Sequence, residues 1–181
     1  MTGAVFAVVG PSGAGKDTLI AAARQTRPDL VIVRRVITRP ESAGGEDFYG
    51  VSEAEFEARR ARGEFALHWR AHGLRYGIPQ AQVDLRDEGH PVVFNGSRAA
   101  LERAVEVMPG LRVIRVCAPS AVLMERLLAR GRESREEIAE RIQRASYDIP
   151  AGLPVVDVRN DGSLADGVAQ FLAALHPPVS A

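Results

Sequence analysis

Near the start of the chain, Gly10-Pro11-Ser12-Gly13-Ala14-Gly15-Lys16 sets two glycines either side of four residues and follows them with a lysine. Glycines at this spacing let backbone N–H groups curl around an anion, and the lysine that follows can reach its outer oxygens. The loop comes directly after an apolar run and directly before a helical pattern, so a helix N-terminus adds partial positive charge at the same point. The β- and γ-phosphates of ATP have the charge and size such a loop accepts. Lys16 is the only lysine in the chain. Gly10, Pro11, Ser12, Gly13, Ala14, Gly15, Lys16, Asp17 and Thr18 are the expected nucleotide contacts, with Lys16 also catalytic.

Asp17 departs from the usual form of this loop, which has a Ser or Thr hydroxyl facing Mg²⁺ at that position. A carboxylate also holds Mg²⁺, directly or through water, but repels phosphate when the metal is absent. Asp17 is therefore the expected metal ligand, and strict Mg²⁺ dependence is expected. The competing reading is a carboxylate that only stabilises the start of the helix.

Short valine- and isoleucine-rich runs at 5–9, 31–37, 91–94, 111–117 and 153–158 predict strands buried on both faces. Helical periodicity is predicted over 16–27, 52–62, 79–88, 97–107, 120–130, 135–147 and 164–175. The alternation predicts an α/β fold, a three-layer P-loop domain on a mostly parallel five-stranded sheet. With 181 residues the chain is expected to form one domain over 1–181. Within it, 38–79 would form a small lobe beside the sheet with weak strand signals, a natural place for a second substrate. Ser52 with Glu55 and Ser134 with Glu137 have capping-box spacing. The tail from 177 to 181 is expected to be a disordered terminus.

Lysine plus arginine and aspartate plus glutamate both total 23, so no global field draws the chain to nucleic acid or an acidic membrane. Cys117 is the only cysteine, which excludes an intrachain disulfide and suits a reducing cytoplasm. The four histidines fall at no zinc-ligand spacing. No run approaches the length of a membrane span. Whether the chain forms a homodimer stays open.

The stretch Arg34-Arg35-Val36-Ile37-Thr38-Arg39-Pro40, then Gly45 to Ser52, Glu55-Phe56, Gly63-Glu64-Phe65 and Tyr76-Gly77, resembles the acceptor lobe of guanylate kinases in order and spacing. That resemblance implies a grip on acceptor phosphate by Arg35, Arg39 and Tyr49, with Glu46 and Tyr76 in the same lobe. The family's guanine-reading glutamate aligns with His68, and its hydroxyl residue after Tyr-Gly with Ile78. Both base contacts are expected to be absent, and a site that has lost them has lost its discrimination for guanine. The run from Phe65 to Pro79, the Gly-Gly-Glu-Asp at 44–47, Asp17 after the loop lysine and Asn95-Gly96-Ser97-Arg98 are similar to the ribose 1,5-bisphosphate phosphokinase family. This narrower resemblance implies transfer of the ATP γ-phosphoryl to a sugar phosphate, giving 5-phosphoribosyl 1-diphosphate, in bacterial phosphonate breakdown. It adds His68, Asn95 and Arg98 to the expected substrate contacts.

Arg130-Gly131-Arg132 leading into the 135–147 helix resembles the lid of these kinases, which implies a lid over 130–147 whose Arg130, Arg132 and Arg141 close over the transferred group. Arg130 and Arg141 are taken as catalytic and Arg132 as a nucleotide contact. Two other readings remain. A guanylate kinase needs base-reading groups, and a non-catalytic binding module is expected to have lost Lys16 and the lid arginines.

Overall fold

The computed structural model describes residues 1–144 and 149–176, with only the backbone of Arg144 among them. The expected helix end at 145–147 and the tail at 177–181 lie outside the described residues. The main sheet has five strands: β1 (Val5–Val9), β2 (Val31–Ile32), β7 (Val92–Asn95), β8 (Arg112–Cys117) and β9 (Val155–Arg159). Their order is β2-β7-β1-β8-β9 and every pairing is parallel.

Strand β1 shows why this sheet lies inside the protein. Its alternate residues Val5, Ala7 and Val9 join one apolar cluster, while Phe6 and Val8 join another. A strand's side chains alternate between faces, so apolar residues at every position require cover on both sides. One side is covered by α4 (Leu101–Val107), through Leu101 and Ala104. The other is covered by α1 (Lys16–Thr26), α5 (Ser120–Arg130) and α7 (Leu164–Ala174), through Leu19, Leu123 and Phe171. The three layers of the predicted α/β fold follow.

The predicted strand at 31–37 divides between two sheets. Val31 and Ile32 pair with β7, and Val33 N–H still donates to Val93 O at 2.9 Å. At Arg34 the N–H donates instead to Gln82 Oε1 (2.8 Å), and the chain moves into β3 (Val36–Ile37). There it joins β4 (Tyr49–Gly50), β5 (Phe65–Ala71) and β6 (Leu74–Pro79) in a second sheet, ordered β4-β3-β6-β5. This sheet is better formed than its weak sequence signal implied. Its β5–β6 hairpin turns on His72 and Gly73, both at positive φ (51° and 73°), as a tight hairpin turn matching strand twist requires.

Helix α2 (Glu53–Ala61) starts as predicted, with Ser52 Oγ accepting from Glu55 N–H at 3.1 Å. The expected helix at 79–88 is a short α3 (Gln80–Val83) continued as 3₁₀ turns, and that at 97–107 starts with a 3₁₀ turn before α4. Beyond β8, α5 ends at Gly131 and α6 (Arg135–Arg144) starts with a reciprocal capping box. Ser134 N–H donates to Glu137 Oε2 (2.7 Å), and Glu137 N–H to Ser134 Oγ (3.3 Å). No helix among the described residues is long and apolar enough to cross a membrane.

Candidate active site

The loop at 10–16 runs from the end of β1 into the first turn of α1. Its path demands glycine at both ends. Gly10 has φ 153° and a Cβ there would meet Val116 O at 2.3 Å; Gly15 has φ 90° and its Cβ would meet Asn160 Nδ2 at 2.4 Å. Lys16 folds back over the loop, donating from Nζ to Gly10 O (2.8 Å) and Pro11 O (3.2 Å). Burial lowers its pKa to about 8, with Arg35 and Arg98 pushing the same way and Asp17 and Glu46 opposing them. The side chain keeps some solvent access. A phosphate placed there would restore the ammonium form.

Asp17 sits exposed in the first turn of α1, and its Oδ1 accepts from Asn95 Nδ2 at 2.7 Å. Asn95 ends β7, next to β1, and its backbone oxygen accepts from Arg35 Nη1 at 3.0 Å. Arg35 is buried and forms a two-point ion pair with Glu46, with Nε to Oε2 at 2.8 Å and Nη2 to Oε1. Its guanidinium also lies 4.9 Å from the centre of the Tyr76 ring and 5.9 Å from that of Trp69. Those two rings face each other across the β5–β6 hairpin, stacked 5.3 Å apart and within 5° of parallel. Asp17, Asn95, Arg35, Glu46 and Tyr76 are thus linked in one polar cluster where the two sheets meet, close enough for Arg35, Glu46 and Asp17, with Arg98, to bear on the charge of Lys16.

Arg141 reaches the loop from α6, with Nη2 on Ser12 Oγ (2.6 Å) and Nη1 on Glu133 Oε1 (2.5 Å). Arg130 and Arg132 are exposed, and neither has an acidic partner among the described residues. Thr18 is also exposed and stands outside these contacts. Arg39 lies farther out on the second sheet, over the Phe48 ring at 4.5 Å and donating from Nη2 to Gly44 O (3.0 Å). Its buried Nε has no partner. Tyr49 packs under Arg34 (3.8 Å), not Arg35, and is 39% exposed.

His68 lies on β5, exposed. Successive strand residues face opposite sides, and His68 stands on the side of Arg60, Arg75 and Glu57. There partial burial first, then the two arginines, lowers its pKa. Its neighbour Trp69 stands on the opposite face, toward Arg35. Two groups that read one base must share a face, and the residue opposite Ile78 on its face is Leu67, with both side chains fully or nearly fully buried. Leu67 and Ile78 both pack into the apolar cluster under the main sheet, so neither offers a polar group at this pair of the hairpin.

Two residues that the sequence reading passed over touch the loop from outside: Arg126 on α5 and Asn160 after β9. Arg126 falls among several arginines of similar helical context, and nothing in its spacing singles it out.

The sequence pattern of the guanylate kinase family matches residues 3–155. The chain belongs to the guanylate kinase family. This family member is 49% identical to a protein named ribose 1,5-bisphosphate phosphokinase PhnN from Ruegeria sp. (strain TM1040), over 96% of the chain and 92% of that protein. It is 48% identical to a bifunctional ribose 1,5-bisphosphokinase-thymidine phosphorylase from Cupriavidus pinatubonensis, over 97% of the chain. The chain spans only 29% of the length of that bifunctional relative. Among solved structures, guanylate kinase from Anaplasma phagocytophilum superposes with a TM-score of 0.64 at 25% identity, covering 96% of this chain and 86% of that one.

Proposed function

We propose that this protein transfers the γ-phosphoryl group of ATP to the 1-phosphate of ribose 1,5-bisphosphate, forming 5-phosphoribosyl 1-diphosphate and ADP. The observation that carries the choice of acceptor is the apolar, buried Leu67–Ile78 pair in the same hairpin that sets Tyr76 against the charged Arg35–Glu46 pair. A site carrying Lys16, Arg35 and Arg98 suits an anionic acceptor, and the Leu67–Ile78 pair itself offers no hydrogen bond to a base. The names of relatives 43–49% identical over nearly the whole chain support the same acceptor.

An oxygen of the acceptor 1-phosphate is already ionised at neutral pH, so no general base is needed. It forms a bond to the γ-phosphorus as the bond from that phosphorus to the β,γ-bridging oxygen breaks, and ADP leaves with the electron pair. Catalysis then consists of alignment and charge neutralisation. The loop N–H groups and Lys16 hold the β- and γ-phosphates, and Arg141 moves from Ser12 onto the transferred group. Arg35 and Arg39 hold acceptor phosphate. Arg98, Asn95, Glu46 and Tyr76 line the sugar side, and the exposed Arg130 and Arg132 close with the lid over the nucleotide.

Among the described residues no three His, Cys, Asp or Glu side chains gather as a metal cluster. One exposed carboxylate, Asp17, fits Mg²⁺, which takes one or two carboxylates and completes its shell with water and substrate phosphates. Mg²⁺ bound there would neutralise charge on the phosphate oxygens.

The test is ADP release by the purified protein with Mg-ATP and either ribose 1,5-bisphosphate or GMP, while a phosphoribosyltransferase traps 5-phosphoribosyl 1-diphosphate. Trapped product with the sugar and background turnover with GMP are expected. Turnover with GMP alone would overturn the acceptor and leave a guanylate kinase.

A further inference from the structure

The outer side of the phosphate loop is held by a clamp that plays no part in the chemistry derived above. Arg126 Nη1 donates to Gly13 O (3.2 Å) and, at the limit of a hydrogen bond, to Ala14 O (3.5 Å); its Nη2 donates to Asn160 O (2.7 Å). Asn160 is 6% exposed. Its Nδ2 donates to Ala14 O at 2.7 Å, and its backbone N–H donates to Cys117 O at 2.8 Å. Space around the amide is closed by glycines on two sides. A Cβ at Gly15 would lie 2.4 Å from Nδ2, and one at Gly167 of α7 would lie 2.5 Å from Oδ1.

We propose that Arg126 and Asn160 are positioning residues for the nucleotide phosphates, acting through the backbone of the loop. A trans peptide unit points its C=O and N–H in opposite directions. Holding the Ala14 carbonyl outward on Asn160 therefore turns the Gly15 N–H toward the inside of the loop, where a phosphate oxygen binds. Donors fixed before the ligand arrives stabilise developing charge without reorganising during the reaction. The clamp also joins loop and lid. Arg126 is one helical turn before Arg130 on α5, and Arg141 of α6 holds Ser12, so residues 12, 13 and 14 are all gripped from the two helices that flank Gly131. The inference rests on reading the loop as the ATP site and is independent of the acceptor.

The test compares Arg126→Ala, Arg126→Lys and Asn160→Ala with wild type. For each, the Kd of Mg-ATP is measured by calorimetry, KM and kcat for both substrates by ADP release, and the melting temperature by circular dichroism. Arg126→Ala is expected to weaken ATP binding about tenfold or more, the scale of a lost hydrogen bond from a charged group, and Asn160→Ala about fivefold, the scale of a neutral one, while the acceptor KM stays within about twofold. Arg126→Lys recovers part of the affinity, and millimolar guanidinium recovers it for Arg126→Ala but not for Asn160→Ala. A residue that only supports the fold would instead lose ATP and acceptor affinity together, in step with melting, and show no guanidinium rescue; that result overturns the proposal. So does ATP affinity within about threefold of wild type in both alanine variants, a loss below the expected scale. Lys16→Ala separates the two levels. If it loses ATP binding while the clamp variants keep it, only the positioning role falls; if it binds ATP like wild type, the loop itself has been misassigned.

Discussion

Glu46→Ala removes the counter-charge from a buried arginine, and its cost follows from the surroundings of Arg35. The two side chains are 9% and 16% exposed, so the pair belongs with buried ion pairs. Removing one partner from such a pair typically costs about 3–5 kcal/mol, because the remaining charge stays buried. Arg35 keeps Asn95 O at 3.0 Å and the Tyr76 and Trp69 ring faces, which sets the expectation near the lower limit, about 3 kcal/mol. For a chain of this length that lowers the melting temperature by about 6–12 °C. Urea unfolding monitored by circular dichroism gives the free energy directly. Added inorganic phosphate should stabilise Glu46→Ala more than wild type, since the unpaired guanidinium becomes an anion site. The double variant Arg35→Met/Glu46→Leu should regain most of the stability and remain without acceptor turnover. A loss below about 1 kcal/mol, as expected of an exposed pair, would refute the reasoning, as would phosphate that stabilises both proteins equally.

Because the Lys16 pKa is lowered to about 8 and bound phosphate favours the ammonium, ATP binding takes up a proton above that pH. The Kd should rise about tenfold per pH unit beyond pH 8 until the pKa of the complex is reached, as calorimetry across buffers would show. In the unliganded protein the same shift makes stability rise with pH between about 8 and 10.5, since the unfolded chain keeps the proton the folded one has lost. Asp17→Ala should weaken the Mg²⁺ dependence of turnover, whereas Asp17→Ser keeps partial nucleotide binding; both are read from ADP release during Mg²⁺ titration. Arg141→Ala should lower kcat by about 10²–10³, as expected for one lost donor to transition-state charge, with a much smaller change in the Kd of ATP. Equal losses in both would make Arg141 a ground-state contact.

The loop was legible in sequence because its chemistry is local, with glycines, lysine and helix start all falling within one turn of chain. The three-layer sheet was legible because strands buried on both faces write continuous apolar runs, as β1 does. The second sheet was harder to read. Its β3 and β4 are two residues each, set by pairing across the chain rather than by any local pattern. Strand β5 carries its signal in alternation, with Leu67 and Trp69 on one face and His68 and Arg70 on the other. Reading that period would have set His68 on the face opposite Leu67 and Trp69. Tyr49 and Arg35 looked equivalent as phosphate holders, yet one packs on Arg34 and the other pairs with Glu46. Arg126 and Asn160 contact the loop from more than a hundred residues away in sequence, a proximity that spacing alone does not reveal.

That the only lysine lies in the phosphate loop also shapes how the protein meets reagents. Acylating and Schiff-base-forming compounds attack neutral amines, and Lys16, with a pKa near 8, presents one in mildly alkaline buffer where an ordinary surface lysine would remain protonated. Its carbonyl contacts and partial solvent access leave the amine within reach of a small electrophile but not of a bulky one. Side-chain amine labelling thus reduces to a single site, and the extent of modification, followed by mass, becomes a direct count of loops without nucleotide.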